Sequence, residues 1–402
     1  MSHLGTVLVI NSGSSSIKYQ LIDPHNKTSI ASGLVENIGE SVSGRYVHKH
    51  GENETVVEEL VPNHHVGLRK VLDLFHTSGP DLKEAGIVAV GHRVVQGGAI
   101  FSHPELVTDQ VVAQINELSS LAPLHNPGHV AGIEVARELL PDVPHVVVFD
   151  TAFFTTLPQA AYTYALDPQI ANKYGIRRYG FHGTSHEYVS ERTTALLGEQ
   201  FGKTPAEINQ IVLHLGNGAS ASAVRGGKAV ETSMGLTPLE GLVMGTRTGD
   251  IDPAVVFYLL DKGELKPEEL NDFFNKKSGL KALAGQNDFR ELHEMIATGS
   301  SEAKLALDVY IHRLRKYIGA YTAVLGRVDA ITFTAGVGEN DDIVRALALA
   351  DLEEFGIKID LEKNTGRKKQ ETLISTPDSR VKVYVVPTNE ELAIAQKAIS
   401  LI

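Results

Sequence analysis

The sequence predicts an α/β protein made of two similar domains. Apolar runs typical of buried strands, such as residues 6–10 and 211–213, alternate with segments of helical periodicity, such as residues 130–140. Each of those two runs precedes a turn rich in Gly, Ser and Asn, and the turns lie about half of the 402 residues apart. Because so long a chain exceeds one ordinary hydrophobic core, a duplicated fold is the simplest expectation.

The predicted strands follow one another in a similar way in both halves. They are residues 6–10, 17–22, 87–90 and 146–149 in the first half, and residues 211–213, 219–224 and 330–334 in the second. No low-complexity linker separates the halves. The domain boundary is expected near residues 150–158.

Two helices can be placed from their side chains. Near the C-terminus, Thr388 stands three residues before Glu391, which predicts a capping box at the start of an apolar-periodic helix. Capping accounts for Glu391 and leaves Glu390 available for a cation. A second helix is predicted by apolar residues that recur at helical spacing and should face a core: Leu307, Ile311, Leu314, Ile318 and Tyr321.

The composition excludes several classes of protein. The net charge of −12 argues against a nucleic-acid binder, so any anion site must be built locally from arginine, lysine and backbone amides. The absence of cysteine excludes a disulfide scaffold and a thiolate metal site. No apolar run approaches the roughly 18 residues of a membrane span, and no cleavable signal is recognised, so a cytoplasmic protein is expected.

The glycine-rich turns are suited to binding phosphate. Residues 11–16 (NSGSSS) and 215–220 (LGNGAS) expose backbone N–H groups and small hydroxyls. Neither a P-loop nor a Rossmann fingerprint is present, and the first turn leads into a strand that carries Lys18. A third glycine turn, residues 335–340 (AGVGEN), follows an apolar strand. Each turn alone is common in hairpins and strand-to-helix connections, but the matching pair favours a function.

Four ionisable residues lie in surroundings that suit a ligand. Arg93 and Arg247 are flanked by glycines that would let a ligand approach, although a lone arginine is usually a solvated surface group. Asp150 follows an apolar strand, where α/β proteins collect ligands, but a helix N-cap or a structural carboxylate would also be found there. His182 lies between two glycines beside Phe181, in a chain with 17 histidines, and an isolated histidine is usually structural.

Ten segments, taken in order, resemble the acetokinase family of the acetate and sugar kinase/Hsc70/actin superfamily. They are INSGSSSIKY, GHRVVQGG, PLHNP, VFDTAF, YGFHGTSH, HLGNGAS, GTRTGDIDP, NDFR, TAGVGEN and PTNEEL, and they span nearly the whole chain. The resemblance implies two duplicated actin-like (ribonuclease H-like) domains with the active site in the cleft between them. One domain would comprise residues 1–150 with a returning helix at about 386–402, and the nucleotide-binding domain would comprise residues 151–385.

The resemblance also implies an activity: reversible phosphoryl transfer between ATP and acetate, giving ADP and acetyl phosphate, with Mg²⁺ or Mn²⁺. Asn11 and Glu390 would help bind the metal. The catalytic residues would be Asp150, His182, Arg247 and Arg93. Substrate contacts would come from Arg93, Val95, Leu124, His125, Phe181 and Pro238. The nucleotide and its phosphates would be bound by Ser14, Ser16, Lys18, His214, Leu215, Gly216, Asn217, Gly218, Asp288, Phe289, Arg290, Gly336, Val337, Gly338, Glu339 and Asn340.

The implied partners are these small substrates, with neither nucleic acid nor membrane, and the family likeness implies a homodimer. Acetate is already an anion, so the chemistry needs no strong base. Two arginines and the metal would offset the repulsion between a carboxylate and a polyphosphate. Asp150 would then orient an arginine or metal-bound water. The chain departs from the family pattern at Gln96, usually histidine, and at Ala99, commonly an acid, which leaves Arg93 in place and bears only on details of the cleft rim and on acyl-chain preference.

Three other functions stay open. A propionate or other short-chain carboxylate kinase of the same fold would differ in the pocket around Val95 and Phe181. A carbohydrate kinase would need several sugar-hydroxyl partners near Asp150, where the polar candidates are arginines and histidines. An actin-like filament would give no reason for two glycine-flanked arginines, and an Hsp70-type chaperone would need a peptide-binding domain after the ATPase.

Overall fold

A computed structural model describes residues 5–402 of the chain. These residues form two units. The first unit runs through Ala152 and also takes up Asn389–Ile402, and the second unit is Phe153–Thr388. Each unit has its own β-sheet and its own buried apolar core.

The first unit contains an eight-stranded sheet. Its strands are β1 (Thr6–Ser12), β2 (Ile17–Asp23), β3 (Thr28–Glu36), β4 (Gly44–His50), β5 (Asn53–Glu59), β6 (Ile87–Val94), β7 (Glu105–Leu106) and β8 (His145–Phe149). Their order across the sheet is β5-β4-β3-β2-β1-β6-β8-β7. Strand β1 pairs antiparallel with β2 through the predicted hairpin and parallel with β6, which pairs parallel with β8. Three helices belong to this part of the chain: α1 (His64–Ser78), α2 (Asp109–Glu117) and α3 (Asn126–Leu139).

The second unit contains a six-stranded sheet. Its strands are β9 (Asn209–Leu215), β10 (Ala219–Arg225), β11 (Lys228–Thr232), β12 (Ala330–Thr334), β13 (Thr372–Leu373) and β14 (Lys382–Val385). Their order is β11-β10-β9-β12-β14-β13. Strand β9 pairs antiparallel with β10 and parallel with β12, and β12 pairs parallel with β14.

Eleven helices accompany this sheet in the described chain. They are α4 (Gln159–Tyr162), α5 (Pro168–Tyr174), α6 (Gly183–Phe201), α7 (Ala254–Asp261), α8 (Pro267–Lys276), α9 (Gly279–Ala284), α10 (Phe289–Ala297), α11 (Ser301–Leu325), α12 (Ala335–Asn340), α13 (Asp342–Leu349) and α14 (Leu361–Asn364). The predicted apolar stripe lies on α11, and all five of its residues are buried, which confirms that prediction.

The last helix, α15 (Glu390–Ile399), returns to the first unit. It packs against β6 at Gly91, where a methyl group built on the glycine would lie 2.7 Å from Ile394 Cγ2. The missing side chain at Gly91 therefore lets helix and sheet approach closely.

The two sheets share one strand order. In each, a hairpin carries a third antiparallel strand on one side and two parallel strands on the other: β3-β2-β1-β6-β8 in the first unit and β11-β10-β9-β12-β14 in the second. The predicted α/β fold and its duplication are confirmed. The Gly/Ser/Asn turns occupy the same place in both units, at the β1–β2 and β9–β10 connections.

Two local predictions were wrong. The N-cap of α15 is Asn389, whose side chain accepts a hydrogen bond from the Leu392 amide, and not Thr388. The Thr388 hydroxyl instead bonds to Ser185 at 2.8 Å. Residues 335–340, predicted as a turn, form the short helix α12, in which Glu339 accepts a hydrogen bond from the Ala335 amide at 2.9 Å.

None of the helices within residues 5–402 combines the length and apolar character that a membrane crossing requires.

Candidate active site

In the first unit, Arg93 and Asp150 form a largely buried ion pair. Arg93 lies in β6 and Asp150 follows β8, and the parallel pairing of these strands places the two side chains side by side. Arg93 Nε and Nη2 donate to Asp150 Oδ2 at 3.1 and 2.7 Å. Burial acts to lower the pKa of Arg93, but the negative charges of Asp150 and Glu390 outweigh it and raise the pKa. The guanidinium is therefore held charged and in one orientation.

Glu390 is the second carboxylate near Arg93. Its Oε2 lies 3.9 Å from Arg93 Nε. Burial raises the pKa of Glu390 to about 7, while the charge of Arg93 acts to lower it and that of Asp150 to raise it. A nearby divalent cation would favour the charged form of this carboxylate.

The predicted metal residues have suitable chemistry. Asn11 lies near the end of β1 and Glu390 at the first position of α15, both in the first unit. An amide and a carboxylate oxygen are hard ligands, and Mg²⁺ is usually held by one or two carboxylates together with water and substrate phosphate. Within residues 5–402 no group of three or more His, Asp or Glu side chains forms a dedicated metal cage. Asn11 and Glu390 offer oxygen ligands that would suit Mg²⁺.

The remaining predicted residues of the first unit differ in exposure. Ser14 and Lys18 are exposed at the β1–β2 hairpin, and Ser16 is half-buried there. Val95 is buried just after β6, whereas Leu124 is 51% exposed before α3, and His125 is the N-cap of α3.

In the second unit, two predicted catalytic residues converge on the glycine turn after β9. A methyl group built on Gly218 would lie 3.4 Å from Arg247 Nη1 and 3.7 Å from His182 Nε2. His182 is the N-cap of α6 and adopts a left-handed conformation, with φ 58° and ψ 24°. The ring of His182 stacks on that of His214, with centroids 4.2 Å apart. An arginine and a histidine thus face the turn that was predicted to bind phosphate.

Arg247 is a half-buried cation without a carboxylate partner among the described residues. Its Nη1 donates to the Pro238 carbonyl at 3.2 Å and approaches Met244 Sδ at 3.8 Å. Burial lowers the pKa of Arg247. A guanidinium held in this way can bind an anion bidentately. Phe181, also predicted for the substrate pocket, is almost fully buried before α6.

Next to this turn is a cavity of about 530 Å³, which is large enough for a nucleoside. Eight of the predicted nucleotide residues line it: Gly216, Asn217, Asp288, Phe289, Arg290, Gly336, Val337 and Asn340. Gly245, Asn287, Asp341 and Arg367 complete the lining and were not predicted. Asn287 donates to Asn217 Oδ1 at 2.9 Å, and the Gly245 amide donates to the Asn217 carbonyl at 3.0 Å. These bonds fix the glycine turn against the cavity.

Several predicted nucleotide residues have structural roles. Glu339 accepts hydrogen bonds from the backbone amides of Ala335 and Thr388, at 2.9 and 3.1 Å, so its carboxylate is used within the protein. Phe289 packs on Tyr310, with ring centroids 5.0 Å apart, and also lines the cavity. Leu215 is fully buried, and Gly338 is buried within α12.

A model of the acetokinase family matches residues 6–396. The chain belongs to the acetokinase family. Relatives include the acetate kinase of Corynebacterium efficiens, 56% identical over 396 residues that cover 98% of each chain. The acetate kinase of Streptomyces avermitilis is 53% identical over 400 residues, covering 98% of this chain and 97% of the relative. The predicted family and the predicted kinase class of enzyme are confirmed.

Solved structures agree with this membership of the acetokinase family. The crystal structure of Porphyromonas gingivalis acetate kinase matches with a TM-score of 0.94 and 41% identity, covering 99% of each chain. A propionate kinase from Francisella tularensis matches with a TM-score of 0.92 and 41% identity, covering 99% of this chain and 100% of the other.

The predictions overlooked a polar cluster beneath His182. Ser220 and Ser222 of β10 and His186 of α6 are fully buried and linked by hydrogen bonds to His182. The signal was present in the sequence: His182 and His186 are four residues apart at the start of a helix, and the two serines are two apart on a strand, so each pair lies close together. These residues therefore hold the side chain of His182, a predicted catalytic residue, through the hydrogen bond between Ser220 and its Nδ1.

Proposed function

We propose that this chain is an acetate kinase that transfers the γ-phosphoryl group of ATP reversibly to acetate, giving acetyl phosphate. The observation that carries the proposal is Arg247: a half-buried guanidinium that lacks a carboxylate partner among the described residues and faces the Gly218 turn together with His182. That turn borders a cavity of nucleoside size. The choice of acetate is supported by the names of relatives at 53–56% identity.

Two arginines take part in the proposed reaction. Arg93, oriented by Asp150, binds the acetate carboxylate, and Arg247 binds the phosphoryl group that moves. The two guanidinium groups offset the repulsion between two anions, which is the main barrier to this transfer. Asp150 acts by holding Arg93, because acetate has no proton to remove at neutral pH.

Other predicted residues would bind the nucleotide and its metal. Asn11 and Glu390 would hold Mg²⁺, or Mn²⁺ in its place, and the bound ion would neutralise phosphate charge. The residues around the 530 Å³ cavity hold the nucleoside. His182 donates a hydrogen bond to the phosphoryl oxygens. Because ATP is a cytoplasmic metabolite, we place the reaction in the cytoplasm.

The test is acyl-phosphate formation from ATP, trapped with hydroxylamine, with acetate, propionate and butyrate as acceptors. We expect rapid turnover of acetate, slower turnover of propionate and little of butyrate, since each methylene in an apolar pocket is worth about 1–3 kcal/mol. Absence of product from acetate would overturn the proposal. A higher kcat/KM for propionate would favour the propionate kinase alternative, and butyrate turnover equal to that of acetate would contradict a small pocket.

We also propose that two copies associate through helix α7. Phe257 and Tyr258 on this helix are 66% and 63% exposed, and none of its eight residues is buried. An apolar surface of this kind marks a protein interface, and the family likeness favours a second copy as the partner. Light scattering should give the mass of a dimer for the wild type and of a monomer for Phe257→Glu. Phe355→Glu, at a 48% exposed site outside α7, is the control and should stay dimeric.

A further inference from the structure

Three buried side chains form a hydrogen-bonded chain that ends on His182. Ser222 Oγ lies 2.7 Å from His186 Nδ1, His186 Nε2 lies 2.7 Å from Ser220 Oγ, and Ser220 Oγ lies 2.8 Å from His182 Nδ1. Ser220, Ser222 and His186 are 0% exposed. Neither serine hydroxyl has another hydrogen-bond partner among the described residues. We call Ser222, His186 and Ser220 the serine–histidine relay.

The hydrogens of the relay can be counted. Each serine hydroxyl carries one hydrogen. Burial holds the pKa of His186 well below its usual range, with a further lowering by His214, so its ring is neutral and carries one hydrogen. Three hydrogens are therefore available for three hydrogen bonds: Ser222 to His186, His186 to Ser220, and Ser220 to His182.

A hydrogen on His182 Nδ1 would break this match. Four hydrogens would then share three bonds, and one would be left without an acceptor in a fully buried site. Leaving a buried polar hydrogen without an acceptor is energetically unfavourable. With Nδ1 as an acceptor, every bond has one donor and one acceptor. The imidazole of His182 must carry a hydrogen on at least one nitrogen, and Nε2 remains.

We propose that the serine–histidine relay holds His182 neutral with its hydrogen on Nε2, so that Nε2 always donates toward the phosphate turn. Nε2 is also the His182 nitrogen that lies 3.7 Å from a methyl group built on Gly218, on the side where Arg247 Nη1 lies. Ser220 ends the turn, but its buried hydroxyl bonds to His182 and His186, and Ser222 and His186 act only through it, so the relay residues are positioning residues. Their catalytic importance rests on the proposed function, because that function requires a donor to the phosphoryl oxygens.

The hydrogen position that the relay imposes on His182 can be measured without any substrate. In protein labelled with ¹⁵N-histidine, long-range ¹H–¹⁵N spectra distinguish the two imidazole nitrogens, and the His182 signals are assigned by their loss in His182→Gln. We expect the wild type to show His182 with its hydrogen on Nε2. In Ser220→Ala, which removes the donor to Nδ1, both hydrogen positions should be populated. Ser222→Ala should produce the same change more weakly. Without the Ser222 donor to Nδ1, His186 can carry its hydrogen on either nitrogen, so it no longer always donates to Ser220.

Ser190→Ala is a matched control, since Ser190 is a buried serine of α6 whose hydroxyl donates to the Glu187 carbonyl. It should leave the His182 signals and the turnover unchanged. In Ser220→Ala, kcat should fall about tenfold while KM for ATP and acetate changes about twofold or less, because only a transition-state donor is weakened. In the His182→Ala background, Ser220→Ala should have no further effect on kcat.

A wild-type spectrum with the His182 hydrogen on Nδ1, or an unchanged spectrum in Ser220→Ala, would overturn the relay. A wild type that forms no acyl phosphate would overturn the proposed function, and the spectrum would then decide the hydrogen position of His182 by itself. If Ser220→Ala fails to fold, the wild type and Ser222→Ala still decide that position.

Discussion

Arg93 Nε and Nη2 both donate to Asp150 Oδ2, at 3.1 and 2.7 Å, and this occupies one edge of the guanidinium. Arg93 Nη1 has no hydrogen-bond partner among the described residues. A guanidinium held by one edge presents the rest of its plane in a fixed direction, which suits a planar carboxylate.

The first prediction concerns Asp150→Asn. Asn keeps one acceptor oxygen but removes the charge opposite Arg93, so kcat should fall at least about tenfold. Stability should fall by less than the about 3–5 kcal/mol of a fully broken buried pair. Asp109→Asn is the control, because Asp109 pairs with Arg137 at 2.9 Å but is 96% exposed. Acyl-phosphate assays and thermal unfolding measure both effects, and near-wild-type turnover of Asp150→Asn would show that Arg93 needs no orientation.

Arg247→Ala should separate activity from stability. Loss of an arginine that stabilises a phosphoryl-transfer transition state costs about 10³–10⁵ in rate. The melting temperature should stay the same or rise, because the substitution removes a half-buried charge that has no carboxylate partner among the described residues. Arg225→Ala, at an exposed arginine that donates to the Val324 carbonyl at 2.9 Å, should keep full activity. A large drop in melting temperature for Arg247→Ala would indicate a structural role instead.

Gly245→Ala should weaken nucleotide binding. A methyl group at this position would lie 2.0 Å from Asn217 Oδ1, so the Asn217 side chain must leave its bond to Asn287. We expect KM for ATP to rise about tenfold, with a smaller change in KM for acetate. Gly319→Ala is the control, since that methyl group would meet nothing within 4 Å on helix α11 and should stabilise the helix by about 0.5–1 kcal/mol. Equal ATP affinity in both variants would argue against the proposed position of the nucleotide.

The ion pair between His293 and Asp341 should make stability depend on pH. His293 Nε2 lies 2.7 Å from Asp341 Oδ2, and this hydrogen bond raises the pKa of His293 despite partial burial. A raised folded-state pKa stabilises the protein below the unfolded pKa of about 6.5, and the gain is lost as pH rises through the folded pKa. His293→Gln should therefore destabilise the protein more at about pH 5.5 than at about pH 9.

Urea unfolding of the wild type and His293→Gln at both pH values gives the difference. His312→Gln, at an exposed histidine on α11 with no carboxylate partner among the described residues, should lack the pH dependence. A larger cost of His293→Gln at alkaline pH would contradict the charged pair.

Much of the fold followed from local sequence. The turns at residues 11–16 and 215–220 each connect two strands whose apolar residues alternate or run continuously, and short-range chemistry is sufficient to predict such hairpins. The position of Arg93 beside Asp150 could not be predicted from local sequence, because it depends on parallel pairing of β6 and β8, and the two residues are 57 positions apart. Only the family resemblance joined these two residues in one prediction.

The misplaced elements depended on long-range contacts. Thr388 and Asn389 are both good N-caps, and the choice of Asn389 follows from the bond of Thr388 to Ser185, 203 residues away. Residues 335–340 contain two glycines and suggested a turn, but Glu339 ties the segment into a helix through Ala335 and Thr388. The serine–histidine relay was overlooked because Ser220 and Ser222 look like ordinary strand residues until α6 is packed against them.

Helix α15 completes the sheet side of the first unit, and the ribosome makes it after all of Phe153–Thr388. At roughly 5–20 residues per second, the delay between Ala152 and Asn389 is roughly 10–50 s. During that time the apolar surface around Gly91, which Ile394 contacts in the folded protein, stays exposed. We therefore expect chaperones that act on nascent chains to bind this exposed surface until α15 has left the ribosomal exit tunnel.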